Sequence, residues 1–327
     1  MNAFLEQNFF QSCFFERERF LTRHLDSMRI ANGWKEYELL DAGDGEKLER
    51  WGTYILRRPD PQALWPKGNE ALWNQADAHY KRSRDGGGSW DRRSTLPKQW
   101  VVSYDDLSFR VELMGFKHTG IFPEQACNWD WIREKIESAS EPVRVLNLFG
   151  YTGGATVAAL AAGGEVSHVD ASKGMVGRAK ENCALSRLSH APVRFFADDA
   201  IKFVDRELRR GHQYEAILLD PPSFGRGPKG ELWKLESHLF SLLEKISMLL
   251  SDRALFLLLN AYTTGLSPVV LENMVKMATH AVPAGVTESF ELGLPLRREG
   301  IVLPCGLSVR WERSHASLPA KRALRSF

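Results

Sequence analysis

A glycine-rich turn and a carboxylate stand at a spacing that could bind a nucleoside. The turn carries Gly150, Gly153 and Gly154 after an apolar run, and Asp170 ends the next apolar run, 20 residues after Gly150. Glycine permits positive φ angles and a close approach of bare backbone. A carboxylate at the end of the second strand can accept hydrogen bonds from both hydroxyls of a ribose. The spacing therefore predicts an adenosine site.

The order of the glycines separates the candidate cofactors. Dinucleotide sites use G-x-G-x-x-G to place a pyrophosphate at a helix N-terminus, whereas this chain reads Gly150-Tyr151-Thr152-Gly153-Gly154. The chain also lacks a G-x-x-x-x-G-K-[ST] phosphate loop. S-adenosylmethionine carries adenosine and an amino acid but no phosphate, so it is the expected cofactor. A glycine turn that serves packing alone is the alternative.

A second motif, AILLDPPSFGRG, places an acid and two prolines after another apolar run. The prolines fix φ and remove two backbone donors, so their carbonyls and Asp220 form an acceptor edge for an amino or ring nitrogen. An aromatic ring beside that edge could stack on a base flipped out of its helix. We therefore predict four catalytic residues, Asp220, Pro221, Pro222 and Phe224. Simple termination of a strand by the two prolines is the alternative.

Length and composition limit the class of protein that carries these motifs. With 327 residues, 43% of them hydrophobic, and a formal net charge of +2, the chain can form one large domain and a smaller one. It has no apolar run of 18 residues and no signal-peptide core, so we expect a cytoplasmic protein without membrane association. Its cysteines are too scattered for a zinc site or disulfide framework, and we expect them to be reduced and buried: Cys13, Cys127, Cys183 and Cys305.

Strand-like and helix-like segments alternate after Glu141-Pro142, which predicts an α/β fold. We expect a Rossmann-like, doubly wound sheet of seven mostly parallel strands, the last two forming an antiparallel hairpin at the sheet edge. The predicted strands cover residues 143–148, 165–170, 193–196, 214–220, 254–260, 285–292 and 301–311. Ligands of such sheets bind beyond the carboxyl ends of the strands.

The preceding residues predict a smaller α+β domain over 1–115, with the cofactor domain over 116–327. A charged amphipathic helix is expected over 4–28, one hairpin at the GDG turn of residues 43–45, and another about Asp105-Asp106.

A basic stretch with neighbouring tryptophans interrupts the smaller domain. Between Lys81 and Lys98 the local net charge is +4, and Tyr80, Trp90 and Trp100 lie close by in sequence. Such a stretch could bind the phosphates and stack on the bases of a nucleic acid. A solvated loop around three glycines fits it equally well.

The order of NLFGYTGGATVAAL, VDAS, ADDA and LLDPPSF resembles class I S-adenosylmethionine-dependent methyltransferases over about residues 105–312. Within that class the chain is most similar to ribosomal RNA large-subunit methyltransferases that modify cytosine carbon-5 or guanine N7. The segment GFKHTGIFPEQACNW resembles that group's K-T-G-x-[FY]-x-D-Q-R stretch, which closes over the cofactor. His118 and Glu124 depart from it.

The resemblance assigns roles to individual residues. It implies that Phe149, Gly150, Tyr151 and Gly153 line the methionine end of the cofactor, and that Asp170 holds the ribose. The remaining expected contacts are Thr119, Gly120, Phe122, Gln125, Asn147, Thr152, Ser172, Asp198 and Asp199, with Asp220 at the methyl group. Asp199 is expected to face the adenine, and its neighbour Asp198 is the alternative. Capping of the following helices is the other interpretation of Ser172 and of both acids.

One departure from the resembled group bears on the reaction. Its carbon-5 enzymes place a cysteine in a Ser-Cys-Ser-Gly turn after the fifth strand, because cytosine carbon-5 reacts only after a thiolate adds to carbon-6. This chain reads Asn260-Ala261-Tyr262-Thr263-Thr264-Gly265 there. The sequence therefore argues against carbon-5 chemistry and favours direct transfer to a nitrogen, or an oxygen. Tyr262, Arg226 and Lys229 are expected near the same opening, with ordinary loop roles as the alternative.

The predicted function is methylation of a base nitrogen in a structured RNA, ribosomal RNA first. A protein or small-molecule acceptor is one alternative, and a non-catalytic RNA-binding assembly factor is another. A dehydrogenase with an irregular glycine fingerprint is the third. Relatives often carry an RNA-binding PUA domain, which residues 1–104 do not resemble, and the sequence leaves the oligomeric state open.

Overall fold

The computed structural model describes residues 28–83, 87–93, 95–227, 230–263, 265–282, 284–298 and 300–314, without the side chain of Phe116. The helix predicted over 4–28 lies outside the described residues except at Met28, which begins a strand. Cys13, Arg84, Asp85, Lys229 and Thr264 also lie outside them.

The first described part of the chain is mainly β-structure. Its elements are β1 (Met28–Ile30), β2 (Tyr37–Gly43), β3 (Glu46–Trp51), β4 (Tyr54–Pro59), α1 (Glu70–Trp73), β5 (Ala78–Arg82), β6 (Gly88–Arg92), β7 (Gln99–Tyr104) and β8 (Leu107–Glu112). Two 3-10 turns follow, at Gly115–Lys117 and Pro123–Gln125.

Helices and strands then alternate, as the sequence predicts. The elements are α2 (Ala126–Glu137), β9 (Arg144–Leu148), α3 (Gly154–Ala161), β10 (Glu165–Asp170), α4 (Lys173–Leu185), β11 (Val193–Ala197), α5 (Ala200–Arg210), β12 (Ala216–Leu219), β13 (Phe224–Arg226), β14 (Leu232–Lys234), α6 (Leu235–Ser247), β15 (Phe256–Ala261), α7 (Pro268–Ala278), β16 (Gly285–Pro295) and β17 (Val302–Arg313).

The large sheet has the order β1-β16-β17-β15-β12-β9-β10-β11, and it contains all seven predicted strands. β17 runs antiparallel to β15 and β16, while the strands from β15 to β11 are parallel to one another. The expected α/β fold is therefore confirmed. The hairpin β16–β17 does not form the edge as predicted, because β1 pairs with β16 outside it.

Alternate residues of the central strands point into two separate cores. Val145 and Leu218 pack with residues of α2, α3 and α4, whereas Leu146 and Ile217 pack with residues of α5, α6 and α7. Both faces of the sheet are thus covered by helices, which explains why these strands are continuous apolar runs. The chain order reverses between β9 and β12, so the ligand crevice is expected at their carboxyl ends.

The smaller sheets confirm both predicted hairpins. A five-stranded sheet has the order β2-β3-β4-β5-β6, and β7 pairs with β8 separately. Asp44 and Asp105 take positive φ angles in the two turns, of 50° and 52°. Buried aromatic residues join these sheets to α2 in one continuous core, including Trp51 and Trp129. The division of the chain at residue 115 remains a prediction.

Within the part of the chain that the structure describes, no helix is long and apolar enough to cross a membrane.

Candidate cofactor and acceptor site

A cavity of about 540 Å³ opens at the carboxyl ends of β9, β10 and β12. Its volume lies within the roughly 300–1,000 Å³ that is typical of small-molecule sites. One wall comes from the large sheet and includes Phe149, Asp170 and Asp220. The opposite wall includes Lys47 of β3 and Arg58 of β4, in the five-stranded sheet, called the smaller sheet below. The sheet register explains why Phe149 and Asp220 meet, since the preceding residues, Leu148 and Leu219, are paired neighbours.

Asp170 is held rigidly at the end of β10. One carboxylate oxygen accepts a hydrogen bond from the Tyr151 amide, and the other accepts one from the Ser172 amide, both at 2.8 Å. Burial raises the pKa of Asp170, and the two hydrogen bonds oppose that shift. Each oxygen keeps an acceptor site for a hydroxyl group. The carboxylate therefore fits the vicinal hydroxyls of a ribose, as predicted.

The neighbouring predicted residues also cap helices. The Ser172 hydroxyl accepts a hydrogen bond from the Met175 amide at the start of α4, and Asp199 accepts one from the Lys202 amide at the start of α5. The capping interpretation therefore holds for Ser172 and Asp199. Asp198 accepts a hydrogen bond from the Asp199 amide and pairs with Arg206. Both acids line the cavity, whereas Ser172 lies outside its lining.

The glycines of the turn are required by packing inside the protein. A Cβ on Gly150 would lie 2.4 Å from the His168 ring, and one on Gly153 would lie 2.9 Å from Ala179. The left-handed conformations fall at Gly153 and also at Phe149 and Tyr151, with φ angles of 56° and 48° at the latter two. Non-glycine residues in that region are strained, and such strain concentrates at functional sites. The turn thus serves packing and also presents two aromatic side chains to the cavity.

Several predicted cofactor residues surround a smaller space of about 50 Å³ behind the main cavity. They include Phe122, Gln125, Asn147, Gly150 and Thr152. The Thr152 hydroxyl donates a hydrogen bond to the carbonyl of Gly120, which fastens the 119–122 segment to the glycine turn.

Other predicted cofactor residues do not reach either space. Thr119, Gly120 and Gly153 stay outside both linings. They position the glycine turn or the segment that crosses it.

Asp220 lies on the cavity wall at the end of β12. Burial, and then the nearby charge of Glu124, raises the pKa of Asp220 to about 7. The Asp220 carboxyl can therefore exchange a proton near neutral pH.

The rest of the predicted catalytic motif is placed differently from the expectation. The Pro222 carbonyl already accepts a hydrogen bond from Trp233 Nε1 at 2.6 Å, so part of the predicted acceptor edge is used inside the protein. Phe224 is 56% exposed on β13 and does not line the cavity, although Pro221 and Pro222 do. Of the predicted hydrogen-bond acceptors, Asp220 is therefore the main one left to bind an acceptor nitrogen.

An aromatic wall that the sequence did not single out as one surface takes the place expected for Phe224. The Phe122 ring lies 5.6 Å from His118, 5.7 Å from Tyr151 and 5.4 Å from Tyr262, and all four residues line the cavity. Burial, reinforced by nearby cations, lowers the pKa of His118 to about 4, so its ring is neutral. A planar base can pack against such a surface. The sequence places three of these residues in segments linked to the cofactor, and it predicts the fourth, Tyr262, near the same opening, where the structure has it.

A buried polar network fixes Tyr262 in this wall. Gln125 Nε2 donates a hydrogen bond to the Tyr262 hydroxyl at 2.8 Å, and Gln125 Oε1 accepts one from Asn128 at 2.9 Å. Asn128 also donates to Asn260 Oδ1, at 3.1 Å. Burial, followed by the charges of Glu124 and Asp220, raises the pKa of Tyr262 well above its usual value, so its hydroxyl stays protonated.

Cys305 of β17 also lines the cavity, although no cysteine lies in the turn directly after β15. Its Sγ donates a weak hydrogen bond to the Leu303 carbonyl at 3.4 Å. Burial, followed by the charge of Glu124, raises the pKa of Cys305 well above its ordinary value. Because the thiolate is the nucleophilic form, this shift disfavours nucleophilic attack by Cys305. Among the three described cysteines, Cys183 is buried as expected, whereas Cys127 and Cys305 are only partly buried. All three are free cysteines.

The smaller sheet contributes a charged wall. Arg58 forms two hydrogen bonds with the buried carboxylate of Glu49, at 2.6 and 2.8 Å, and Lys47 lies 3.2 Å from Asp60. Arg58 also donates to the backbone carbonyl of Lys117, at 2.9 Å. Burial, and then the charge of Lys47, lowers the pKa of Lys117 to about 8. This wall therefore carries both charges, because Arg58 is paired with Glu49 and Lys47 with Asp60, and it lies opposite the acidic side of Asp170.

Comparison with protein families gives one match that covers most of the chain. Residues 76–279 match the model of a family described as S-adenosylmethionine-dependent methyltransferase. A solved structure, the SAM-dependent methyltransferase from Agrobacterium tumefaciens, is 41% identical and superimposes with a TM-score of 0.84. That match covers 88% of this chain and 93% of the other.

Two curated relatives are similar over shorter stretches. The ribosomal RNA large subunit methyltransferase K/L of Shewanella sp. (strain MR-4) is 37% identical over 125 residues, which are 38% of this chain and 17% of the relative. The ribosomal RNA large subunit methyltransferase I of Cronobacter sakazakii is 31% identical over an alignment of 220 positions, which covers 61% of this chain and 52% of the relative. The chain thus spans about a sixth of the first relative and about half of the second.

Proposed function

The chain belongs to the S-adenosylmethionine-dependent methyltransferase family, and on that premise we propose that it methylates a base nitrogen of a structured RNA, ribosomal RNA first. The observation that carries this proposal is the position of Asp220. It lies beside an aromatic wall and in the same cavity as the ribose-binding candidate Asp170. A flipped base between the aromatic wall and Asp220 would present a nitrogen to the methyl donor.

The residues around the glycine turn would hold the cofactor. Asp170 would bind the ribose, Asp198 and Asp199 of the main cavity would flank the adenine, and Gln125 and Asn147 of the smaller space would hold the amino-acid end. When bound, S-adenosylmethionine supplies a methyl group on a sulfonium centre that is already activated for displacement.

Asp220 would orient the acceptor and receive its proton. Its carboxylate accepts a hydrogen bond from an N–H group of the base, so the nitrogen lone pair is directed along the line of attack. The nitrogen gains the methyl group and loses its proton to Asp220, and no covalent bond to the enzyme is needed. Neutral His118, Phe122 and Tyr262 exclude water from this end of the cavity.

The RNA acceptor rests on two kinds of support. The two curated relatives are named as ribosomal RNA methyltransferases, and the wall opposite the acids carries Lys117 beside the paired cations Lys47 and Arg58. Cationic groups near a base-sized pocket suit a polyanionic acceptor. An enzyme acting on ribosomal RNA would work in the cytoplasm, as the sequence led us to expect.

The direct test is the nucleoside composition of RNA. We expect one methylated nucleoside to be missing, by mass spectrometry, from ribosomal RNA of a strain lacking the gene. It should return with the wild-type gene but not with Asp220→Asn. An unchanged profile would remove the RNA acceptor and favour a protein or small molecule.

Calorimetric titration separates the enzyme from a non-catalytic assembly factor of the same fold. We expect S-adenosylmethionine to bind the purified protein and Asp170→Ala to weaken that binding by about tenfold or more, since a hydrogen bond to a charged group contributes about 1.5–3 kcal/mol. Failure of the wild-type protein to bind the cofactor would contradict both enzymatic interpretations.

A further inference from the structure

The hairpin β5–β6 is fastened to the turn that leads into the cavity. Trp90 Nε1, on β6, donates a hydrogen bond to the Met114 carbonyl at 2.7 Å, immediately before the Gly115–Lys117 turn. Beneath it, the buried Tyr80 ring meets Trp90 edge-on, with centroids 5.4 Å apart. Tyr80 is therefore buried, and Trp90 is held in place by packing and by its hydrogen bond. What remains on the outer surface of the hairpin is charge.

Four basic side chains are exposed on the described part of this hairpin and just beyond it: Lys81, Arg82, Arg92 and Arg93. Two of them have partners, since Lys81 pairs with Asp91 at 2.7 Å and Arg93 donates to the Asn74 carbonyl at 2.8 Å. Arg82 ends β5 and Arg92 ends β6, at opposite ends of the hairpin. These two side chains are the strongest candidates for binding an external anion.

Lys117 lies between the hairpin and the cavity, since the turn that carries it follows Met114, which bonds Trp90, and its own side chain lines the cavity. Arg82 is close enough to contribute to the lowered pKa of Lys117, after burial and the charges of Lys47 and Arg58. Lys117 Nζ donates to the Pro59 carbonyl at 2.9 Å, and the residue holds a left-handed φ of 67°. The strained backbone and this hydrogen bond place a cation on the cavity wall between the hairpin and the aromatic wall.

We propose that Arg82, Arg92 and Lys117 form a phosphate track that binds the sugar-phosphate backbone of the acceptor RNA and delivers one nucleotide into the cavity. This inference rests on the proposed function, because it assigns the surface by which the same site recognises its acceptor. Contacts to phosphates position a nucleic acid without reading its sequence. The choice of base then falls to the aromatic wall and Asp220.

The test is the salt dependence of RNA binding. A fluorescein-labelled single-stranded RNA of about twenty nucleotides is titrated with full-length wild-type protein and with Arg82→Ala/Arg92→Ala at several salt concentrations. We expect the double variant to bind about tenfold more weakly at low salt. Its slope of log affinity against log salt should be shallower by roughly 0.7 per lost phosphate contact.

Arg209→Ala/Arg210→Ala is the matched control, because it also removes two exposed arginines, which lie near the C-terminal end of α5 and away from the carboxyl ends of the strands. It should bind the RNA within twofold of wild type. Lys117→Gln tests the phosphate track independently of the hairpin variants. It should also make the slope of log affinity against log salt shallower. Calorimetry with S-adenosylmethionine checks that each variant is folded.

The outcomes separate the inference from the proposed function. If wild type methylates ribosomal RNA and the hairpin variants bind RNA with unchanged affinity and slope, the phosphate track is wrong and the proposed function stands. If wild type binds the cofactor but neither binds nor methylates RNA, both are wrong. Equal losses in Arg209→Ala/Arg210→Ala and in the hairpin double variant would also contradict the track, because the effect would then follow net charge alone.

Discussion

The carboxylates of Glu124 and Asp220 face the same cavity from different parts of the fold. Glu124 belongs to the 3-10 turn before α2, and Asp220 ends β12. Burial raises the pKa of both groups, and the charge of Glu124 raises that of Asp220 further, to about 7. Two acids that repel one another in a partly closed cavity create a proton acceptor adjusted to neutral pH.

We predict that Asp220→Asn lowers kcat by roughly 10²- to 10⁴-fold, the usual contribution of a positioned general base. The ionised form of Asp220 is the active one, so wild-type kcat/KM should rise with pH and level off above about 7. Steady-state methylation of RNA between pH 5 and 9 measures this limb. A flat profile in wild type would rule out proton acceptance by Asp220.

Glu124→Gln is the matched variant for that profile. Removing the neighbouring charge removes one cause of the raised pKa of Asp220, so the rising limb should move to lower pH. Activity at pH 8 should change much less than in Asp220→Asn. A limb that stays near pH 7 in Glu124→Gln would mean that burial alone sets the pKa of Asp220.

The same carboxyl should destabilise the folded protein at neutral pH. The pKa of Asp220 rises from an ordinary 3.8 to about 7 on folding, so the folded state binds the proton more tightly than the unfolded chain does. Stability associated with that proton is fully present below pH 3.8 and is lost as the pH rises through 7. We therefore expect Asp220→Asn to increase the free energy of unfolding by about 1–3 kcal/mol at pH 8 and by little at pH 4.

Urea denaturation at the two pH values measures this difference. Asp44→Asn, a substitution in an exposed hairpin turn, controls for the loss of one negative charge. If Asp220→Asn is equally stabilising or destabilising at both pH values, Asp220 titrates normally in the folded protein.

The sequence was sufficient for the parts of the site that depend on strand order. Parallel strands end at one edge of a sheet, so apolar runs ending in Asp170 and Asp220 had to bring those acids to one crevice. The seven predicted strands are present for the same reason, since their buried runs are long and regular.

The rest of the site depends on contacts between segments far apart in the chain. Nothing near Pro222 in sequence indicates that Trp233 would bond its carbonyl, and nothing near Lys47 or Arg58 indicates that the smaller sheet would close the cavity. Phe224 was a reasonable choice for stacking from its position in the motif, but the hairpin β13–β14 directs it outward. Side-chain direction after a turn is set by such tertiary packing.

The charged wall yields a prediction on stability. Glu49 is fully buried and pairs with Arg58 and Lys47, and the nearby cations hold its pKa at about 2 against the effect of burial. Glu49→Gln leaves the buried guanidinium of Arg58 without its carboxylate partner, and we expect it to reduce the free energy of unfolding by about 3–5 kcal/mol.

Glu38→Gln is the control for this prediction. Glu38 pairs with Arg50 and Arg297 in a more exposed setting, and its loss should cost less than about 1 kcal/mol. Urea denaturation at pH 7 compares the two variants. Similar effects at both positions would show that the buried pair is not specifically stabilising.

Experiments on Cys305 distinguish direct methyl transfer from covalent catalysis. It is the described cysteine that lines the cavity, and its raised pKa keeps it a thiol. Direct transfer to nitrogen needs no thiolate, so Cys305→Ser should retain methylation within about threefold, because the substitution keeps a small polar side chain of similar size.

RNA in which 5-fluorocytidine replaces cytidine traps enzymes that attack carbon-6, and denaturing gel electrophoresis should show no covalent complex with the wild-type protein. A trapped complex that disappears in Cys305→Ser would establish carbon-5 chemistry from an unexpected position in the fold and would overturn direct transfer.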